Sequence, residues 1–113
     1  MKMAAFKVLV GLGSLAAFAA ISLPERAVAA PVVHKILIEK MAFGPSPAGV
    51  HVGDTIEWTN RDTFRHSATS ADKSFDLDME PDGTAFVVVR RPGSFQYTCK
   101  YHPGMKGELI VEK

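Results

Sequence analysis

Ser94 to Cys99 (SFQYTC) alternates polar and apolar side chains, so Phe95, Tyr97 and Cys99 share one face while Ser94, Gln96 and Thr98 share the other. That period of two belongs to a half-buried strand. It recurs at Thr55 to Asn60, where Ile56 and Trp58 oppose Thr55, Glu57 and Thr59. Runs rich in β-branched residues predict further strands at Val32 to Glu39, Val50 to Val52, Arg65 to Thr69, Thr84 to Val89 and Gly107 to Glu112. Between them stand turn signals such as Gly53-Asp54, Asn60-Arg61-Asp62 and Arg90-Arg91-Pro92-Gly93. No helical period competes. Elements of this kind bury their apolar faces sheet against sheet, so the expected fold is all-β, an antiparallel sandwich of seven to eight strands. Trp58, the single tryptophan, is expected to anchor its core.

Two stretches read as connections. Met41 to Pro47, with two prolines and a glycine, reads as a loop or edge crossing. Ala71 to Gly83 carries Asp72, Asp76, Asp78, Glu80 and Asp82 and reads as a long, partly irregular, solvated loop. Its acids do not fall at the spacing of a calcium-binding EF-hand.

The first 29 residues have the layout of a secretory leader. Lys2 and Lys7 precede an uncharged apolar run from Val8 to Ile21, then Pro24 and the small-residue site Ala27-Val28-Ala29. That run is shorter than the roughly 20 residues a spanning helix requires. The expectation is a cleaved signal peptide at 1–29 and one domain at 30–113, exported to the periplasm and not inserted in the membrane. With no Arg-Arg pair before the apolar run, export of the unfolded chain and later metal loading are expected. The remaining segment holds ten basic and eleven acidic residues, a balance that gives no reason to expect a nucleic-acid partner.

Small exported domains often lean on disulfides, but this chain has one cysteine. A lone exported thiol is a dimer bridge, a vulnerable group or a metal ligand, and the last explains best why it is kept. Cys99 opens a compact donor set, followed by His102 and Met105 with Pro103 and Gly104 tightening the loop between them. Thiolate, imidazole and thioether together suit copper in both oxidation states better than magnesium or calcium. A fourth donor must come from elsewhere in the chain. His34, His51 and His66 are the candidates, and His66 is favoured because it follows the turn after the Trp58 strand. Two histidines, one cysteine and a weak axial methionine make an electron-transfer copper site.

These residues also carry a resemblance. Val52-Gly53-Asp54-Thr55-Ile56-Glu57-Trp58-Thr59-Asn60-Arg61-Asp62 leading to His66, and Gly93 to Cys99 leading to His102, Pro103 and Met105, resemble the small cupredoxins of the plastocyanin, pseudoazurin and amicyanin group. Two residues between His102 and Met105 make the short loop typical of amicyanin; the other two groups have two more. The resemblance implies a Greek-key sandwich holding one type 1 copper. It implies ligation by Nδ1 of His66 and His102, the Cys99 thiolate and a long axial bond from Met105. It further implies a buried His66, and a His102 whose outer ring edge is the electron port and whose protonation in the reduced state releases it. One departure stands out: asparagine often follows the first histidine in this family, and here the residue is Ser67. Its backbone N–H can still donate to the Cys99 sulfur.

The implied role is a monomeric one-electron carrier, not an enzyme, serving a c-type cytochrome or a periplasmic dehydrogenase or oxidase. Copper enzymes of this lineage place a histidine directly after the cysteine, where this chain has Lys100. The alternative is a copper-binding or trafficking protein without an electron-transfer role. Against it, Met41 and Met79 lie in no methionine-rich run. An apolar docking patch is expected around His102, made by Pro103, Gly104, Phe43 and Pro45 and rimmed by Lys100 and Lys106.

Overall fold

The computed structural model describes residues 11, 13–23 and 29–113. Lys2, Lys7, Pro24 and the Ala27-Val28 part of the expected cleavage site lie outside the described residues. Residues 13–23 are exposed and carry no regular secondary structure. Among the described residues, no helix is long and apolar enough to cross a membrane.

The described residues form nine strands in order: β1 (Val33–Glu39), β2 (Ala42–Phe43), β3 (Val50–His51), β4 (Thr55–Asn60), β5 (His66–Ser70), β6 (Asp76–Met79), β7 (Thr84–Val88), β8 (Gly93–Thr98) and β9 (Lys106–Glu112). They form two layers, β2-β1-β4-β7 and β3-β9-β8-β5-β6. The sandwich is the expected one, with two parallel pairings inside it. β1 runs parallel to β4, setting Ile36 beside Trp58, and β3 runs parallel to β9.

Alternation puts Ile36, Ile38, Ile56 and Trp58 of one layer against Ala68, Met79, Tyr97, Leu109 and Val111 of the other, all buried. The Trp58 ring lies 5.4 Å from Phe75 and 5.6 Å from Tyr97 between centroids, and Phe43 meets Tyr97 edge-on at 4.7 Å. Each large side chain so buried stabilises the fold by roughly 1.5–3 kcal/mol.

Two elements were not expected. The acidic connection contains β6, whose Leu77 and Met79 turn inward while Asp76 and Asp78 point out. Aspartate disfavours strands in general, yet β6 is an edge strand, where outward charge protects against pairing with another chain. The second is the β1–β2 hairpin, whose two-residue loop is Lys40-Met41 at φ 53° and 59°. Loops of that shape usually contain Asn-Gly, and a lysine and a methionine give no such signal.

At the end of the sandwich where β1 and β4 begin, Asp54 ties the start of β1 to the end of β3. It accepts the N–H of Val32 and of His51, both at 3.0 Å, and Nε2–H of His34 at 2.9 Å. The Val32 amide, then the His51 amide and the His34 ring, lower its pKa from 3.8 to about 2. The folded value is the depressed one. The stabilisation is therefore fully present above pH 3.8 and is lost as pH falls through about 2. Asp54→Asn is expected to weaken the protein at neutral pH and to flatten its stability profile over that window, read by urea unfolding at several pH values. A variant profile as steep as the parent's would contradict this role.

Candidate metal centre

His66 is held by its surroundings before any ligand is considered. It opens β5 after a loop that Asn60 fastens from inside. Asn60 is fully buried; its Nδ2 donates to the carbonyls of Phe64 (2.7 Å), Met79 (3.2 Å) and Glu80 (3.3 Å). Its Oδ1 accepts the N–H of Asp62 at 2.9 Å. Asp62 in turn accepts Nε2–H of His66 at 2.8 Å and the N–H groups of Lys40 (2.8 Å) and Met41 (2.9 Å). A carboxylate only accepts, so the ring proton sits on Nε2 and the Nδ1 lone pair is free. Desolvation pushes the Asp62 pKa up, but the Met41 amide, the His66 ring and the Lys40 amide outweigh it, so the net shift is down. The two left-handed residues of the hairpin are thus held by the same carboxylate that orients His66.

Cys99 follows the last residue of β8 and is fully buried. The loop after it is tight, with His102 N–H on the Cys99 carbonyl (3.2 Å), Met105 N–H on the His102 carbonyl (2.9 Å) and Cys99 N–H on the Met105 carbonyl (3.2 Å). Those bonds bring His102 Nδ1 to 3.8 Å from Cys99 Sγ. His66 Nδ1 stands 3.8 Å from the same sulfur, and the three donor atoms lie within 4.8 Å of one another. Met105 is buried, at 5% exposure, and closes the loop.

This arrangement fits a single ion. Nitrogen and sulfur donors at roughly 2.0–2.3 Å from a metal, spread in a plane around it, would stand about 3.7 Å apart. The sulfur is a soft donor and the imidazoles are borderline, and the partner recorded for each Nδ1 is the Cys99 sulfur itself. The sulfur also receives the backbone N–H of Ser67 at 3.3 Å. Of the other two histidines, His34 is bound to Asp54, while His51 pairs with Glu112 and the Gly49 carbonyl.

The surface around His102 differs from the expected patch. Phe43 is half-buried with its ring on Tyr97, so it belongs to the core. Pro45 lies along the β1 edge beside Lys35 and Leu37. Phe64, 57% exposed, takes the place at the centre, its ring 6.2 Å from that of His102 and nearly perpendicular. Lys100 is not a free rim cation either. Its ammonium donates to Asp76 at 3.2 Å and to Asp78 at 3.2 Å, and Asp78 also accepts the Tyr101 hydroxyl at 2.9 Å. Lys106 makes no ion pair among the described residues.

The fold and this cluster invite comparison with known proteins. A model of the cupredoxin-like domain matches residues 11–111. The chain belongs to the cupredoxin-like family. Amicyanin-alpha of Methylorubrum extorquens is 30% identical over 84 residues, covering 69% of this cupredoxin and 71% of the relative. Amicyanin of Paracoccus versutus is 28% identical over 81 residues, covering 66% and 61% respectively. Among solved structures, a reduced Trp-to-Tyr variant of amicyanin superposes with a TM-score of 0.61 at 26% identity, over 71% of this chain and 82% of that one. A Met-to-Gln variant of amicyanin with Cu(I) gives the same values.

The sequence marks Asn60 and Asp62 only as the end of a strand and its turn, and it assigns no role to Phe64 and no partner to the Ser67 hydroxyl. A signal for Asp62 was present in the spacing: a carboxylate four residues before a candidate ligand histidine can reach its outer nitrogen.

Proposed function

We propose that this cupredoxin is a periplasmic one-electron carrier, with His66, Cys99, His102 and Met105 holding one type 1 copper. The observation that carries the reading is the convergence of His66 Nδ1, Cys99 Sγ and His102 Nδ1, with Asp62 on the outer nitrogen of His66 and the Ser67 N–H on the sulfur. Bound there, copper supplies a centre that gains or loses one electron between Cu(I) and Cu(II).

The chain's own residues do the rest. Asp62 keeps the Nε2 proton on His66 and its Nδ1 lone pair inward. Ser67 N–H draws density from the thiolate, which favours the reduced state. The buried positions of His66 and Cys99 exclude water from two donors. The half-exposed ring of His102 carries the electron to the surface beside Phe64, where Pro103 and Gly104, the next two residues, are also exposed. An apolar face of that kind suits a transient redox partner, such as a c-type cytochrome or a periplasmic dehydrogenase. Lys106 is the cation left to favour acidic partners. The single donor cluster among the described residues and Lys100 after Cys99 argue for a carrier over a copper enzyme.

The test is the visible spectrum of protein loaded with Cu(II), with Cys99→Ser beside it. An intense blue charge-transfer band, absent from the variant, is expected. A colourless Cu(II) complex in the parent protein would refute the assignment and leave the trafficking role standing.

A further inference from the structure

Ser67 touches the ligand loop twice, because its N–H reaches Cys99 Sγ while its hydroxyl accepts the Lys100 N–H at 2.9 Å. That hydroxyl is fully buried and lies 2.9 Å from Thr69 Oγ1, which donates its proton to Asp76 Oδ1 at 2.9 Å. With the Thr69 proton committed to the carboxylate, Ser67 must donate to Thr69. All protons therefore point one way, from the Lys100 amide through Ser67 and Thr69 to Asp76. The Lys100 ammonium reaches back to the same carboxylate oxygen at 3.2 Å and closes a ring. Thr69 and Asp76 face each other across β5 and β6, so the ring joins two strands to the ligand loop.

We propose that Thr69 and Asp76 are positioning residues for the Cys99 thiolate. Their bonds orient the Ser67 hydroxyl, fix the backbone after Cys99 and keep the Ser67 N–H on the sulfur. This deepens the copper reading and rests on it for its redox consequence. The chain ends on an acceptor oxygen facing the Thr69 hydroxyl, and that oxygen sets its direction. Asp76 is held below the usual carboxylate range, first by the Thr69 hydroxyl and then by Lys100, so it remains an acceptor at neutral pH. Hydrogen bonding at the cysteine sulfur sets the potential of such a centre, so a looser Ser67 N–H shifts it downward.

The experiment compares the parent with Thr69→Val, Asp76→Ala and Asp76→Asn. The first readout is exchange of the Lys100 backbone amide in metal-free protein, with the Leu109 amide of the β8–β9 pair as a control for global stability. Loss of one net hydrogen bond predicts about tenfold faster Lys100 exchange in Thr69→Val and Asp76→Ala. Asp76→Asn retains an acceptor oxygen and should keep most of the protection. The second readout is the reduction potential of copper-loaded protein, expected to fall in the same two variants and to recover in Asp76→Asn. Unchanged Lys100 exchange in Thr69→Val and Asp76→Ala would overturn the bracket. Faster exchange with an unmoved potential would overturn its action on the sulfur. A parent protein with no blue band would defeat the copper reading instead, since the exchange readout needs no metal.

Discussion

Gly107→Ala is expected to destabilise this protein by about 3 kcal/mol or more, at the upper end of the overpacking range. A Cβ at Gly107 would lie 2.2 Å from Cζ, 2.5 Å from Oη and 2.7 Å from Cε1 of Tyr97. The two residues face each other across β8 and β9. Tyr97 is 1% exposed and hemmed by Phe43, Trp58 and Phe75, so its ring has nowhere to go. On an open strand the same substitution would gain roughly 0.5–1 kcal/mol, so the sign of the change alone tests the packing. At about 4–8 °C per kcal/mol for a domain of this size, the melting temperature should fall by roughly 12–24 °C. Tyr97→Leu removes the three clashing atoms at the expense of a cavity. The double variant should be more stable than the two single effects added together, by about 1 kcal/mol or more. Additive effects in that cycle would show that Gly107 is held for another reason. Because Lys106 and Met105 immediately precede Gly107, a strand forced outward there would also disturb the ligand loop.

The clash shows which features of this chain could be read from the sequence and which could not. Period-two alternation at β4 and β8 placed Trp58, Tyr97 and Cys99 inward because one layer face is dry and the other wet. The donor set was legible for a different reason: Cys99, His102 and Met105 sit on one short loop, so spacing alone brings them together. What escaped depends on partners distant in the chain. Gly107 lies beneath a particular ring of the neighbouring strand. The Lys40-Met41 loop adopts its shape because Asp62, 22 and 21 residues away, accepts both amides. Asp76 and Asp78 belong to a strand because the edge of a sheet tolerates charge that a central strand would not. Phe43, expected beside His102, turns to Tyr97, and Phe64, for which the sequence carries no expectation, stands beside His102, a difference no local pattern encodes. Ser67, where the family often has asparagine, accepts the N–H of the residue after the cysteine and hands its own proton on to Thr69.

Asn60→Ala should cost about 3–4 kcal/mol and should lower copper retention more than any surface substitution. The buried amide satisfies the carbonyls of Phe64, Met79 and Glu80 and the N–H of Asp62. Truncation leaves these groups without their partner, at roughly 1–3 kcal/mol for each that water cannot reach. Its backbone is also committed, with Asn60 N–H on the Gly83 carbonyl and its carbonyl accepting from Asp82, so the segment cannot simply shift to compensate. The loop it secures carries Asp62, and Asp62 orients His66, so the loss propagates to the metal centre through two named contacts. Asn60→Asp separates shape from chemistry. The introduced carboxylate can still accept from Asp62, but it aims a second negative oxygen at three carbonyls. Burial and that repulsion raise its pKa in the folded state, so the variant regains stability as pH falls towards the raised value and the group becomes a donor again. Urea unfolding at neutral and mildly acidic pH reads the effect directly. Asn60→Asp should be the weaker of the two variants at neutral pH and recover on acidification, while Asn60→Ala should not. Parallel pH profiles for the two would remove Asn60 from the role of donor that secures the His66 loop.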